Sequence, residues 1–183
     1  MPSSFLSLLL STLLATSFWL GTGFPSLAQG FQNPAIATLP GLAGLFAGER
    51  PTNLGVKQGQ LAPCPTTPNC VASQETDAEH AIAPLNYDSE PAIAMSNLVA
   101  VIKGMPRSVI IEQTDDYLYA EFTSRLMGFV DDVEFYIDPT NRVIQVRSSA
   151  RLGESDLGVN RKRIESIRSV WVADAGGNRL GAD

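Results

Sequence analysis

The sequence predicts an α+β domain: a helix, a four-stranded antiparallel meander and a second helix, behind an irregular, disulfide-stapled lead-in. Three observations carry that expectation. Apolar residues recur at helical spacing over 90–105 and again over 159–172. Between them, four stretches alternate apolar and polar residues with period two. Clusters of Asp, Asn, Thr, Pro and Gly punctuate those stretches, so helices pack on one sheet.

Each element has its own signal. Ser89 is the expected N-cap of the first helix and Pro91 suits its opening turn, while Gly104 and Pro106 end it. Ala94, Leu98, Val101 and Ile102 form its buried stripe. The strands follow at 108–113, 117–125, 131–137 and 142–151. Leu118, Ala120, Phe122, Val133, Phe135, Ile137, Ile144 and Val146 face inward. Tyr119 and Tyr136 fall on the opposite face, and Gly128 marks a bend. If 138–141 is the turn, Phe135 faces Ile144 and Val133 faces Val146. The polar face then pairs Glu134 with Gln145 and Asp132 with Arg147. The second helix buries Ile164, Ile167, Val170 and Trp171, with Asp156 or Asn160 as its cap.

The first 28 residues read as a signal peptide. Residues 5–20 are apolar apart from small hydroxyl residues, Gly21, Gly23 and Pro25 break any helix, and Ser26 and Ala28 occupy cleavage-site positions. No Lys or Arg precedes the apolar run, and an uncleaved anchor is the alternative. The run falls short of the ~20 residues of a bilayer span, so no stable transmembrane segment is expected after cleavage. Residues 29–49 are then a flexible lead-in, 50–173 the domain, and 174–183 a loose C-terminal tail.

Export bears on "CPTTPNC". In an oxidising compartment a close cysteine pair is most often a disulfide, so Cys64 and Cys70 are read as a staple. Two free thiols are the alternative. A structural zinc needs about four ligands, and the chain holds two Cys and one distant His, His80. His80 is expected at the surface or in a cap. No metal and no cofactor is expected. A formal charge of −6 argues against a sequence-independent nucleic-acid binder.

Chemistry concentrates after the last strand. Arg147, Arg151, Arg161, Lys162 and Arg163 crowd a glycine-containing loop and a helix start, beside Asn160. Helix-terminal amides and guanidiniums together attract anions, so a phosphate, carboxylate or lipid headgroup is a sensible ligand. Gly153 and Gly158 have P-loop spacing, but Val159 stands where Lys is required. A structural network is the competing account, with Arg147 on Asp132 and Arg151 on Glu134 or Asp156. Asp132 and Glu134 could also serve as acid and base, with Arg147 stabilising an anion. Arginines within reach of both argue against two carboxyls held in different protonation states.

"RPTNLGV", "LAPCPTTPNCVASQ", "DDVEFYID" and "RSSARLGESDLGVNRKRIE" together closely resemble the DUF1499 family of uncharacterised bacterial and plastid proteins, over 50–171. The resemblance implies that Cys64, Asn69, Cys70, Asp131, Asp132, Glu134, Arg147, Ser148, Arg151, Gly153, Ser155, Asp156, Gly158, Asn160, Arg161 and Arg163 sit in identifying motifs. It implies no catalytic residue. With an export signal, the chain is similar to a cyanobacterial member, placed in the periplasm or thylakoid lumen. The functional expectation is a non-enzymatic binding or accessory module for an anionic small molecule, a lipid headgroup or a protein partner. Its candidate ligand residues are Asp132, Glu134, Arg147, Arg151, Asn160, Arg161 and Arg163. A hydrolase or transferase using Asp132 or Glu134 with Arg147 is the alternative.

Overall fold

A computed structural model describes residues 46–177. The expected signal peptide and most of the expected lead-in lie outside the described residues, as does the tail from 178 onward. The element order is β1 (Cys70–Ala72), β2 (Leu85–Asn86), α1 (Pro91–Gly104), β3 (Ser108–Gln113), β4 (Tyr117–Thr123), β5 (Val130–Asp138), β6 (Val143–Ala150) and α2 (Val159–Gly177). The expected meander is present as β3 to β6, all antiparallel. Two short strands enlarge it, since β1 and β2 both pair with β6, giving the order β1-β6-β5-β4-β3 with β2 beside β6. At two and three residues, neither is long enough to show an alternating pattern.

The β5–β6 register differs from the sequence expectation by two residues. Phe135 faces Val146, Ile137 faces Ile144, and Glu134 rather than Asp132 stands opposite Arg147. The turn has the expected four residues but begins one position later, since Asp138 pairs with Val143. The Asp138 carboxylate accepts the amides of Thr140 and Asn141, which holds Asp138 as the last strand residue before the turn. Pro139 then takes the next position, where its fixed φ is an advantage; the expected turn would have put it one place too far along. A two-residue shift keeps each side chain on its expected face, so apolar still meets apolar. It changes every cross-strand partner.

One face of the sheet carries the main core. Leu118, Val133, Phe135, Ile144 and Val146 pack against Leu98 and Ile102 of α1 and Ile164, Ile167 and Trp171 of α2, all buried. Each such side chain contributes about 1.5–3 kcal/mol of burial. Within α2, Val170 is 40% exposed and lies off the stripe expected for it. The cap of α1 is Glu90, without a side-chain hydrogen bond, rather than Ser89. At its other end the Ser108 hydroxyl donates to the carbonyls of Ile102 and Met105 and satisfies the last turn. Asp156 caps α2: its carboxylate accepts the amides of Gly158 and Asn160.

The opposite face is covered as well. Leu54, Val56 and Leu61 pack on Tyr117, Tyr119 and Tyr136 in a second, smaller cluster. A disulfide joins Cys64 to Cys70 where this cover passes into β1. On the chain-entropy account, closing so short a loop stabilises by about 2 kcal/mol.

Candidate functional site

The four candidate side chains of β5 and β6 meet on the face beneath the 50–61 cover. Glu134 is fully buried. Its Oε1 accepts the Gly55 amide and the Tyr117 hydroxyl, each at 2.8 Å, and its Oε2 accepts Arg147 Nη1 at 3.2 Å. Gly55 supplies that amide from φ +99°, a conformation any side chain would strain. Arg147 is buried too, and its Nε finds no acceptor.

Beside this pair lies a second ionic group. Asp132 takes Nε and Nη2 of Arg151 at 3.0 and 2.7 Å and the Tyr119 hydroxyl at 2.6 Å. Arg151 also reaches Glu121, which accepts Arg50 Nη2 at 2.6 Å from the cover. The expected network is therefore real, with its partners exchanged. Arg147 holds Glu134 instead of Asp132, and Arg151 holds Asp132 and Glu121 instead of Glu134 or Asp156. The register shift is the cause for Arg147, while Arg151 lies just past β6 and reaches Asp132 on the same face.

Asn160 and Arg163 lie on the other face, with the helices. Arg163 binds Asp131 and donates to Ser148 Oγ at 3.0 Å, and its guanidinium lies 5.0 Å from the Phe122 ring centre. Asn160 accepts the Ser148 hydroxyl and donates to the Asn69 carbonyl at 3.0 Å, joining α2 to β6 and the start of β1. Arg161 belongs to neither group; it donates to the carbonyls of Ala81 and Glu79. The seven candidates thus fall into two ionic groups on the covered face, one on the helix face and one separate clamp. Of the two places expected for His80, surface or cap, the surface does not hold: His80 is buried between Asp77 and the Thr67 carbonyl. Among the described residues no group of three or more His, Cys, Asp or Glu is placed to hold a metal.

Electrostatics separate these groups. Burial alone would raise the Glu121 carboxyl, but hydrogen bonds from Arg151, Arg50 and Tyr119 outweigh it and hold the pKa below the ordinary 4.5. Burial, reinforced by adjacent carboxylates, raises the Tyr117 and Tyr119 phenols well above the ordinary 10. Both stay neutral donors. Burial also raises Asp131, against the opposing pull of Arg163. A lowered carboxyl adds stability above its unfolded value, and that stability is lost as pH falls through the folded value. The melting temperature of the protein should therefore fall below about pH 4.5, and less steeply in Glu121→Gln. Equal slopes in a thermal titration of the two proteins would refute that role for Glu121.

Against this face lies a groove of about 720 Å³, which sequence reasoning missed. Tyr117, Tyr119 and Tyr136 form its floor, Leu54, Gly55 and Val56 one wall, and Ile111, Glu112 and Asp116 the other, with Arg50 at the rim. Tyr119 and Tyr136 lie on the face that the alternation predicts. What periodicity lacked was any sign that 50–61 lies across them.

Fold and site together define a stapled α+β domain whose single sheet is roofed on both faces over buried ion-pair networks. The chain belongs to the family described as "Protein of unknown function (DUF1499)", whose model matches residues 60–170. No curated protein and no solved structure matches it.

Proposed function

We propose that this is an exported, non-enzymatic binding or accessory protein of the periplasm or thylakoid lumen, with the tyrosine-floored groove as its binding surface. The observation that carries this reading is the division of labour on that face. The carboxylates and guanidiniums suited to catalysis, Asp132, Glu134 and Arg147, are buried and bonded to one another or to tyrosine hydroxyls. A hydrolase or transferase built on them would need the cover to lift. The groove beside them offers the partly exposed Tyr136 ring, an apolar wall of Leu54 and Val56, and one half-exposed cation, Arg50, facing a wall that carries Glu112 and Asp116. That surface suits a small amphipathic molecule, or a partner's segment, with a ring or apolar body for the floor and one anionic group for Arg50. The cysteine staple and the leader-like N-terminus support the exported setting.

A native mass spectrum of the protein purified from its exporting host tests this. The wild type is expected to carry a non-covalent small molecule or partner, and the groove-filling variant Val56→Trp to lose it at least about tenfold at an unchanged melting temperature. A bare wild type overturns the reading. So does a passenger that Val56→Trp retains.

A further inference from the structure

The two most exposed large apolar side chains among the described residues are Leu157, 85% exposed, and Leu126, 82% exposed. They sit on different loops, β4–β5 and β6–α2, at one end of the sheet. The β5 start and β6 end that carry those loops are paired through Asp131 and Ala150. A cavity of about 320 Å³ lies at this end, lined by Arg125 of the β4–β5 loop, Val159 at the head of α2 and Arg107 after α1. Met127 and Leu152 are exposed beside them. A soluble surface rarely concentrates such side chains without a partner.

Two observations say what that partner is. The first is charge. In a chain of net −6, Arg107, Arg125 and Lys162 are exposed at this end and none has a carboxylate partner among the described residues, while Glu154 is the exposed acid of the same loops. The second is where the chain goes. The described residues begin at Phe46, whose ring lies 5.3 Å from that of Phe129 in the β4–β5 loop, and Gly48 packs on Arg151 and Leu152. The described chain therefore begins at this end of the domain, and the apolar run at 5–20 belongs to the 45 residues that precede it in sequence. No helix among the described residues is long and apolar enough to cross a membrane. Apolar tips ringed by basic side chains are what a peripheral contact requires: the tips enter the acyl boundary and the cations sit among headgroups.

We propose that this end of the domain docks on an anionic lipid bilayer through Leu126 and Leu157, with Arg107, Arg125 and Lys162 at headgroup level. The surface shares no lining residue with the tyrosine groove and goes beyond the reading given to it. Both cysteines are in the disulfide, so a single introduced thiol takes an environment-sensitive fluorophore specifically. Leu126→Cys and Leu157→Cys, labelled with nitrobenzoxadiazole, should brighten and shift to the blue with vesicles of phosphatidylglycerol and phosphatidylcholine in equal parts. Thr140→Cys, in the exposed β5–β6 turn, should not. Adding Arg125→Gln and Lys162→Gln should weaken the response about thirtyfold in lipid concentration. No change at 126 and 157, an equal change at 140, or an equal response to pure phosphatidylcholine would each overturn the proposal.

Discussion

Arg147→Met is expected to cost about 3–5 kcal/mol of unfolding free energy, because it strands the buried Glu134 carboxylate without its cation. Tyr117 and Gly55 still donate to Glu134 in that variant, but neither carries charge. Two companions separate charge from shape. Arg147→Lys keeps the cation, and since Arg147 makes one 3.2 Å contact to Glu134 rather than a fork, it should cost only about 1 kcal/mol. The double variant Arg147→Met with Glu134→Gln removes both charges and should recover at least half of the loss. Urea unfolding of the four proteins checks the set. A cost below about 1 kcal/mol for Arg147→Met would mean that water reaches Glu134 and the pair is not sealed.

On the opposite face, Arg163→Met should be nearly as damaging at neutral pH, about 3 kcal/mol, and should behave differently in acid. Burial already raises Asp131 above its ordinary 3.8 despite Arg163. Without the guanidinium the carboxyl rises further. An acid whose folded pKa exceeds its unfolded one binds its proton more tightly when folded, so acidification favours folding and raising the pH through the folded value costs stability. The deficit of Arg163→Met should therefore shrink as pH falls toward about 4, by up to about 1.4 kcal/mol per pH unit. Denaturation of both proteins at several pH values measures it. A deficit independent of pH would show that the loss is packing against Phe122, and not the Asp131 charge.

These two expectations show how far a sequence carries and where it stops. Side-chain parity is local, so the apolar face of the meander, the helix stripes and the polar positions of Asp132, Glu134 and Arg147 were legible. Partner identity was not, because it depends on which residue begins a turn, and moving the turn by one gave Arg147 the carboxylate of Glu134 in place of Asp132. The staple was legible from compartment chemistry. The groove was not, since it arises when 50–61, a stretch without periodicity, crosses the tyrosines. Arg161 looked like its neighbours in sequence, but each residue along α2 turns the side chain by about 100°, so Arg161 faces Glu79 and Ala81 while Asn160 and Arg163 face the network. Gathering basic residues by proximity in sequence merged two faces that the fold keeps apart.

The placing of β1 and β2 on β6 sets an order of events for a chain made from its N-terminus. The cover, the staple and the first two strands emerge early, but their sheet partner is the last strand to be synthesised. The early third therefore waits while β3 to β6 zip together through neighbouring hairpins, and it docks only at the end. Cys64 and Cys70, six positions apart, are exempt from that wait because their loop closes locally. The bond can form ahead of the sheet and deliver β1 as a pre-shaped edge, so oxidation acts as a timing device as well as a restraint.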